Sequence, residues 1–346
     1  MDKIESRKDE HVRLALEKNV SASYNYWNDI SLVHNALPEI NKSEIDLSTE
    51  FLGKQLGAPL LISGMTGGYS KAKKINEHLA AAAETYQLAM GVGSQRAGLN
   101  TSRLKDTYSI VKEYDIPLRI GNIGASQLVL WGHEKTVKRV LEMAEMIDAD
   151  AIAICLNYLQ EVVQFEGEAQ GKGTLEGIQR LAEEIELPII VKESGAGISF
   201  DVAQRLKETS IAVIDIGGMS GTSFAAIEHY RAKLHFDRLH ARGGKTFWDW
   251  GIPTPQSLVE VKDAVNDQFQ IIASGGIRHG LDAAKALALG ADLVGVAQAL
   301  LKPATKSEKE TMFEIDAIVK ELRAAMFLTG CGHVDSLSYV EVDGWI

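Results

Sequence analysis

The sequence predicts an α/β protein built as a (β/α)8 TIM barrel, and three observations carry that expectation. From residue 59 onward, short apolar runs alternate with amphipathic helical patterns. Eight such runs are present, and a barrel of eight strand–helix units usually takes ~250 residues before insertions. Several runs are continuously apolar, as strands covered on both faces must be. Alternation with short connections implies parallel pairing and right-handed crossovers.

Residues 1–58 read as an N-terminal extension of a single domain spanning 1–346, helical and charged over 7–16 and irregular over 31–51. The expected strands are 59–65, 89–93, 117–123, 151–157, 188–194, 211–217, 270–275 and 293–297. Ala72, Ile75, Leu79, Ala82 and Tyr86 share one helical face after the first strand. Leu175, Ile178, Ala182 and Ile185 do so after the fourth, and Met312, Ile315, Val319, Leu322 and Met326 after the last. An insertion over 236–255, rich in His, Arg, Gly and Trp, follows the sixth strand, and a loop that long is expected to be functional. An open doubly wound sheet is disfavoured, because Gly64-Met65-Thr66-Gly67-Gly68 lacks the dinucleotide-binding glycine spacing.

Charge and cysteine content narrow the function. Lys and Arg number 36 against 47 Asp and Glu, a formal net charge of −11. That argues against a general nucleic-acid binder, whose affinity comes from neutralising phosphates, and leaves room for a local basic pocket. Cys155 and Cys331 lie too far apart in sequence for a disulfide framework or zinc site. No apolar run approaches the ~20 residues of a membrane span, and the first residues show no apolar signal region. A cytoplasmic enzyme with no nucleic-acid or membrane partner is expected.

The C-terminal strand ends of a barrel build its active site. Gly275-Gly276-Ile277-Arg278 and Ala297-Gln298 follow the seventh and eighth strands, where backbone N–H groups and a helix N-terminus commonly hold a phosphate. Arg278 adds a charge that a turn does not require. Lys192 ends an apolar strand and needs an anion there. That anion is either Glu193 or a neighbour, or a flavin or phosphate. Ser94 and Asn122 are either turn residues or site residues, and Arg96 either a surface arginine or part of the site; their common position at strand ends favours the site. Glu161, with Asn157 and Gln160 before it, suits Mg²⁺ beside a diphosphate, or is a solvated glutamate at a helix start. Cys155 reads as an inert thiol. His11 and His279 read as surface residues or residues behind the first contacts. Phe247-Trp248-Asp249-Trp250 fits a lid, a core cluster or a subunit contact equally.

Taken together these segments resemble the type 2, FMN-dependent isopentenyl-diphosphate isomerases. The resemblance runs through Arg7-Lys8-Asp9-Glu10-His11, Ser63-Gly64-Met65-Thr66-Gly67-Gly68, Gly93-Ser94-Gln95-Arg96 and Gly121-Asn122-Ile123-Gly124. It continues through Leu156-Asn157-Tyr158-Leu159-Gln160-Glu161, Val191-Lys192-Glu193, Gly217-Gly218-Met219-Ser220-Gly221-Thr222, Trp250-Gly251-Ile252-Pro253-Thr254 and Ser274-Gly275-Gly276-Ile277-Arg278. It implies interconversion of isopentenyl and dimethylallyl diphosphate, with reduced FMN as acid–base relay, Mg²⁺, NAD(P)H as reductant, and a homo-oligomer, tetramer or octamer. Met65, Thr66, Gly67, Ser94, Asn122, Lys192, Ser220, Thr222, Gly275, Gly276, Arg278, Ala297 and Gln298 would bind FMN. Arg7, Lys8, Arg96, Asn157 and Gln160 would hold substrate, Glu161 the metal, and Gln160 and Lys192 would serve catalysis. The chain departs from the family pattern at strand four: Cys155 stands at a histidine position, Tyr158 where proline is usual, and Phe165 at a proline position. Two further readings are an FMN-binding paralogue acting on another prenyl compound or lacking turnover, and an α-hydroxy-acid oxidase. The oxidase needs a His–Arg pair near the late strands, of which His279 beside Arg278 is a poor version.

Overall fold

Eight parallel strands close on themselves in the computed structural model, which describes residues 3–344. They are β1 Leu60–Ile62, β2 Ala89–Gly91, β3 Leu118–Gly124, β4 Ala151–Cys155, β5 Ile189–Lys192, β6 Val213–Asp215, β7 Gln270–Ser274 and β8 Leu293–Val296. Each pairs with its neighbour in sequence, and β8 closes on β1 by pairing Val294 with Leu60 and Gly295 with Leu61. The strands stop earlier than the apolar runs suggest, β3 excepted.

The helices that matter below are α1 Lys3–Glu17, α2 Ala72–Tyr86, α3 His133–Ile147, α4 Tyr158–Val163, α5 Thr174–Glu184 and α6 Phe200–Leu206. They continue with α7 Phe224–Leu234, α8 Arg238–Thr246, α9 Thr254–Val265, α10 Gly280–Ala288, α11 Gln298–Lys306 and α12 Glu308–Thr329. In α2, Ala72, Ile75, Leu79 and Ala82 are buried against the strands, as their spacing requires. α12 is rotated from the expected face: Thr311, Ile315, Ile318, Leu322 and Met326 are buried, while Met312 and Val319 pack at its edge. Ser307 caps its start by accepting a hydrogen bond from the Glu310 N–H, and Gly330 ends it at φ +77°. No helix among the described residues is long and apolar enough to cross a membrane.

The barrel interior holds Leu61, Ala89, Leu118, Ile120, Ala151, Ala153, Ile190, Val213, Ile272 and Leu293. Phe51 and Leu56 join them from a hairpin, Thr49–Phe51 paired with Lys54–Leu56. The Leu52 N–H donates to Gln270 Oε1 at the start of β7, and Lys54 reaches Asp150 just before β4. The hairpin therefore plugs the N-terminal end of the barrel, where the sequence suggested irregular chain. α1 packs on α7 and α11 instead. The extension thus reaches both ends of the barrel.

Candidate functional site

The C-terminal strand ends enclose a cavity of about 730 Å³, a size suited to a cofactor with a small substrate. Every residue that the sequence singled out for catalysis, substrate, cofactor or metal lines it. Lys192 stands in its floor. Its Nζ donates to the Glu193 carbonyl at 2.8 Å and lies 4.0 Å from Asp215 Oδ2. Asp215 is buried and accepts a hydrogen bond from Ser274 Oγ at 2.5 Å. The counter-charge is thus Asp215, one strand over, rather than the side chain of Glu193, which accepts the N–H groups of Ser194 and Ala196. Burial pulls the Lys192 pKa down, but the charges that Cys155, Asp215 and Glu193 carry when ionised outweigh it and leave it raised. Burial pushes the Asp215 and Cys155 values up.

One corner of the cavity is a ring of backbone donors. Gly275 and Gly276 hold φ of +105° and +83°, a conformation that favours glycine. A Cβ on Gly276 would stand 2.5 Å from the Ser220 carbonyl oxygen. Among the described residues, the N–H groups of Gly275, Gly276 and Ile277 donate to no protein acceptor. α11 begins beside them at Gln298, whose Oε1 accepts from Thr222 Oγ1 at 3.1 Å. Donors without acceptors beside a helix N-terminus fit a phosphate. Arg278 contributes less than its charge suggests. Its Nε donates to Asp282 at 3.0 Å and its Nη2 to Asn28 at 2.8 Å, so the guanidinium is already committed. Across the floor, Ser63 Oγ and Asn122 Oδ1 are buried without a partner among the described residues, which again fits a polar ligand.

The facing wall carries charge. Asn157 Nδ2 lies 3.2 Å from both Gln160 Oε1 and Glu161 Oε1. Glu161 Oε2 accepts from Gln164 at 2.6 Å and from the Glu168 N–H at 2.8 Å. Glu161 pairs with no cation among the described residues, and no cluster of three or more metal-ligating side chains is found among them. A single carboxylate of this kind fits Mg²⁺ that keeps its waters and shares a phosphate ligand. Arg96 forks onto Glu168, with one bond of 3.1 Å. Lys8 Nζ donates to the Ser94 carbonyl at 2.8 Å, and Arg7 forms no ion pair among the described residues. Desolvation, then the charge of Arg7, pushes the Lys8 amine down to about 7.

Sequence reasoning missed what brings Arg7 and Lys8 here. Arg231, 1% exposed, binds Glu10 of α1 at 2.9 Å, Glu166 of the loop after α4 at 2.7 Å, and Glu228 of its own helix at 2.7 Å. Phe165 lies over its guanidinium at 4.5 Å. His11 hydrogen-bonds Glu228 at 2.7 Å and lines the cavity, so it is not a surface residue. His279 is one, as the sequence suggested, and caps α10. The insertion 236–255 contributes nothing to the cavity wall, contrary to expectation. Its Trp248 packs on His229 and Tyr230, which makes this part of the aromatic cluster structural.

Burial pushes the Glu228 pKa up, and His11 and Arg231 more than reverse it. Glu10 is lowered likewise against its own burial by Arg231 and His235. Their contribution to stability is full above the ordinary value of 4.5 and is lost as the pH falls through the lowered ones. Arg231→Leu is expected to lose ~3–5 kcal/mol at neutral pH, the cost of stranding buried carboxylates. The gap to wild type should narrow as these carboxylates protonate. Urea unfolding across a pH series checks this, and a gap independent of pH would refute it.

The chain matches the family of FMN-dependent dehydrogenases over residues 10–158 and 156–342. It is 47% identical to the isopentenyl-diphosphate delta-isomerase of Thermoplasma volcanium, over 96% of this chain and 95% of that protein. It is 45% identical to the enzyme of the same name from Pyrococcus furiosus, over 97% and 86%. Among solved structures it is similar to a flavocytochrome b2 variant with pyruvate bound, with TM-score 0.69, 16% identity, and 96% and 82% covered. A mandelate oxidase variant superposes with TM-score 0.66 at 15% identity over both whole chains. At that identity the likeness establishes the fold alone.

Proposed function

The chain belongs to the isopentenyl-diphosphate delta-isomerase family of FMN-dependent barrels, and we propose that it interconverts isopentenyl and dimethylallyl diphosphate on bound FMN. The observation that carries this is the union, in one cavity, of a phosphate-fitting corner, a cationic floor and a wall with Asn157, Gln160 and Glu161. The oxidase reading lacks its catalytic pair. His279 caps α10, and Arg278 is bound to Asp282.

The N–H groups of Gly275, Gly276 and Ile277, with Ala297 and the start of α11 at Gln298, would hold the FMN phosphate. Ser220 and Thr222 would flank it, and Met65, Thr66, Gly67, Ser94, Asn122 and Lys192 would hold the ring system. When bound and reduced, FMN supplies an acid–base centre, so the allylic proton shift needs no net redox change. Lys192 offsets negative charge in the floor. Arg7, Lys8 and Arg96 draw the diphosphate to the opposite wall. Glu161 holds Mg²⁺ against it, and Gln160, fixed by Asn157, orients the carbon skeleton. Cys155, held neutral by burial, replaces a histidine donor with a weaker one, so the diphosphate depends more on the charges of α1. NAD(P)H fits as the source of reducing equivalents. That chemistry and two free cysteines suit the cytoplasm. A tetramer or octamer would cover Phe236 and Leu239, which are 92% and 82% exposed.

Anaerobic protein carrying reduced FMN should convert isopentenyl diphosphate when Mg²⁺ is present. No conversion by folded, FMN-loaded, reduced protein would overturn the proposal, and equal rates with oxidised flavin would remove the relay. In Glu161→Gln the rate should lose its Mg²⁺ dependence. A dependence like that of the wild type would show that Glu161 is not the metal ligand.

Lys8 makes binding pH-dependent. Its amine is charged below about pH 7 and neutral above. A bound diphosphate raises that value, so binding above pH 7 takes up a proton and weakens as the pH climbs. Arginine stays charged throughout. Pyrophosphate affinity, taken as the ratio of wild type to Lys8→Arg, should therefore fall as the pH rises past 7, and the ratio cancels titration of the ligand itself. A flat ratio would place the titration elsewhere.

A further inference from the structure

The phosphate corner is gripped by a strap, residues 21–28, that precedes the barrel; its Ser21, Ala22 and Asn25 line the cavity beside the corner, and its Trp27 is buried. Trp27, fully buried, donates its indole N–H to the Gly275 carbonyl at 3.0 Å. Asn25 Nδ2 donates to the Gly276 carbonyl at 2.7 Å. A trans peptide is planar, so its C=O and N–H point in opposite directions. The Gly275 carbonyl shares a peptide with the Gly276 N–H, and the Gly276 carbonyl shares one with the Ile277 N–H. Holding each carbonyl against the strap therefore aims the following N–H the other way. Those two N–H groups are among the ones that find no protein acceptor among the described residues. All peptide bonds of the described chain are trans.

The strap is itself anchored at both ends. Its Ala22 N–H donates to the Gly221 carbonyl at 2.7 Å, and Ser21 bridges to Thr222. Trp248 of the insertion donates to the Ser21 carbonyl at 2.9 Å, and Asp249 accepts the Ser23 N–H at 2.7 Å and its hydroxyl at 2.6 Å. At the other end Lys285 of α10 donates to the Trp27 carbonyl at 2.7 Å. The insertion thus acts at one remove, by fixing the strap.

We propose that Trp27, assisted by Asn25, is a positioning residue for the phosphate end of the cofactor. It orients glycine peptides whose own side chains cannot be held. This rests on the reading that the FMN phosphate occupies the Gly275–Gly276 corner. A donor set oriented before binding loses less freedom when the anion arrives, and glycine peptides are otherwise the least constrained in the chain.

The test compares two ligands with one ring system, FMN and riboflavin, the second lacking the phosphate. Trp27→Phe keeps an apolar ring and removes the indole donor. It should weaken FMN about fivefold or more, the worth of a neutral hydrogen bond, and change riboflavin affinity little. Asn25→Ala, at a half-buried position that tolerates change better, should show the same selectivity if Trp27→Phe fails to fold. Fluorescence titration of apoprotein gives both affinities without turnover. Equal weakening of FMN and riboflavin would mean general loosening and would overturn the proposal, as would unchanged FMN affinity. Gly276→Ala separates the two ideas, because its Cβ would crowd the corner. If that variant also leaves the FMN-to-riboflavin ratio intact, the phosphate lies elsewhere and both readings fall. If it abolishes the FMN preference while Trp27→Phe and Asn25→Ala do not, only the strap's role falls.

Discussion

The buried guanidinium of Arg231 is the constraint on which the mouth of the barrel depends. Barrel closure alone brings together eight strand ends, and nothing in it places a helix that ends more than forty residues earlier. Arg7 and Lys8 are held at the cavity by several ties of their helix, Glu10 to Arg231 among them, together with Glu5 on Arg103, His11 on Glu228, and Leu14 packed with Ala226 and Ile227. The loop after α4 reaches the same guanidinium through Glu166. Glu168, in that loop, then supplies an N–H to Glu161 and a carboxylate to Arg96. One charge thus links the segment carrying the cations to the segment carrying the lone carboxylate. Removing a charge from such a cluster strands the others in low dielectric, which explains why the guanidinium is enclosed by partners on three elements.

The floor shows the same logic on a smaller scale. Lys192 sits at the end of β5, paired in register with Cys155 of β4 and Asp215 of β6. Asp215 is satisfied on one oxygen by Ser274 and faces Lys192 at a distance longer than a tight ion pair. The lysine is therefore kept charged without being fully neutralised by a contact of its own. A cation in that state attracts an anion entering the cavity, whereas a closely paired one would not. Glu193 adds its charge from a distance, because its carboxylate makes its own contacts with two backbone N–H groups.

Legibility followed the range of the interactions. The strands were readable because each is a local apolar run, and all eight are present. The cavity residues were readable because closure of the barrel turns position along a strand into position in space. The hairpin plug was not readable: its two strands have three residues each, and only Phe51 and Leu56 are buried. The Arg231 cluster joins Glu228, at a readable i, i+3 spacing on its own helix, to residues 10 and 166, which no spacing rule links to it. Trp27 and Asn25 act on glycine carbonyls, which leave no mark in side-chain patterns. One miss was avoidable. Arg278 and Asp282 stand at the i, i+4 spacing that pairs charges at a helix start, so the arginine's commitment could have been read directly.

Two of the departures from the family pattern, Phe165 and Cys155, separate on this map. Phe165 faces away from the substrate side, with its ring over Arg231 and against His235. An aromatic face over a desolvated guanidinium is stabilising, so the change from proline reinforces the cluster that holds α1. Cys155 faces the cavity between the ends of β3 and β5, and its burial keeps it a neutral thiol. A histidine there would bring a stronger donor to that wall, and a charge when protonated. The wall that carries Asn157, Gln160 and Glu161 shares its cavity with Arg7 and Lys8 of α1, a helix that Arg231 helps to tie down through Glu10. Phe165, over that guanidinium, therefore bears on the position of those cations from outside the cavity wall, whereas Cys155 bears on the cavity directly.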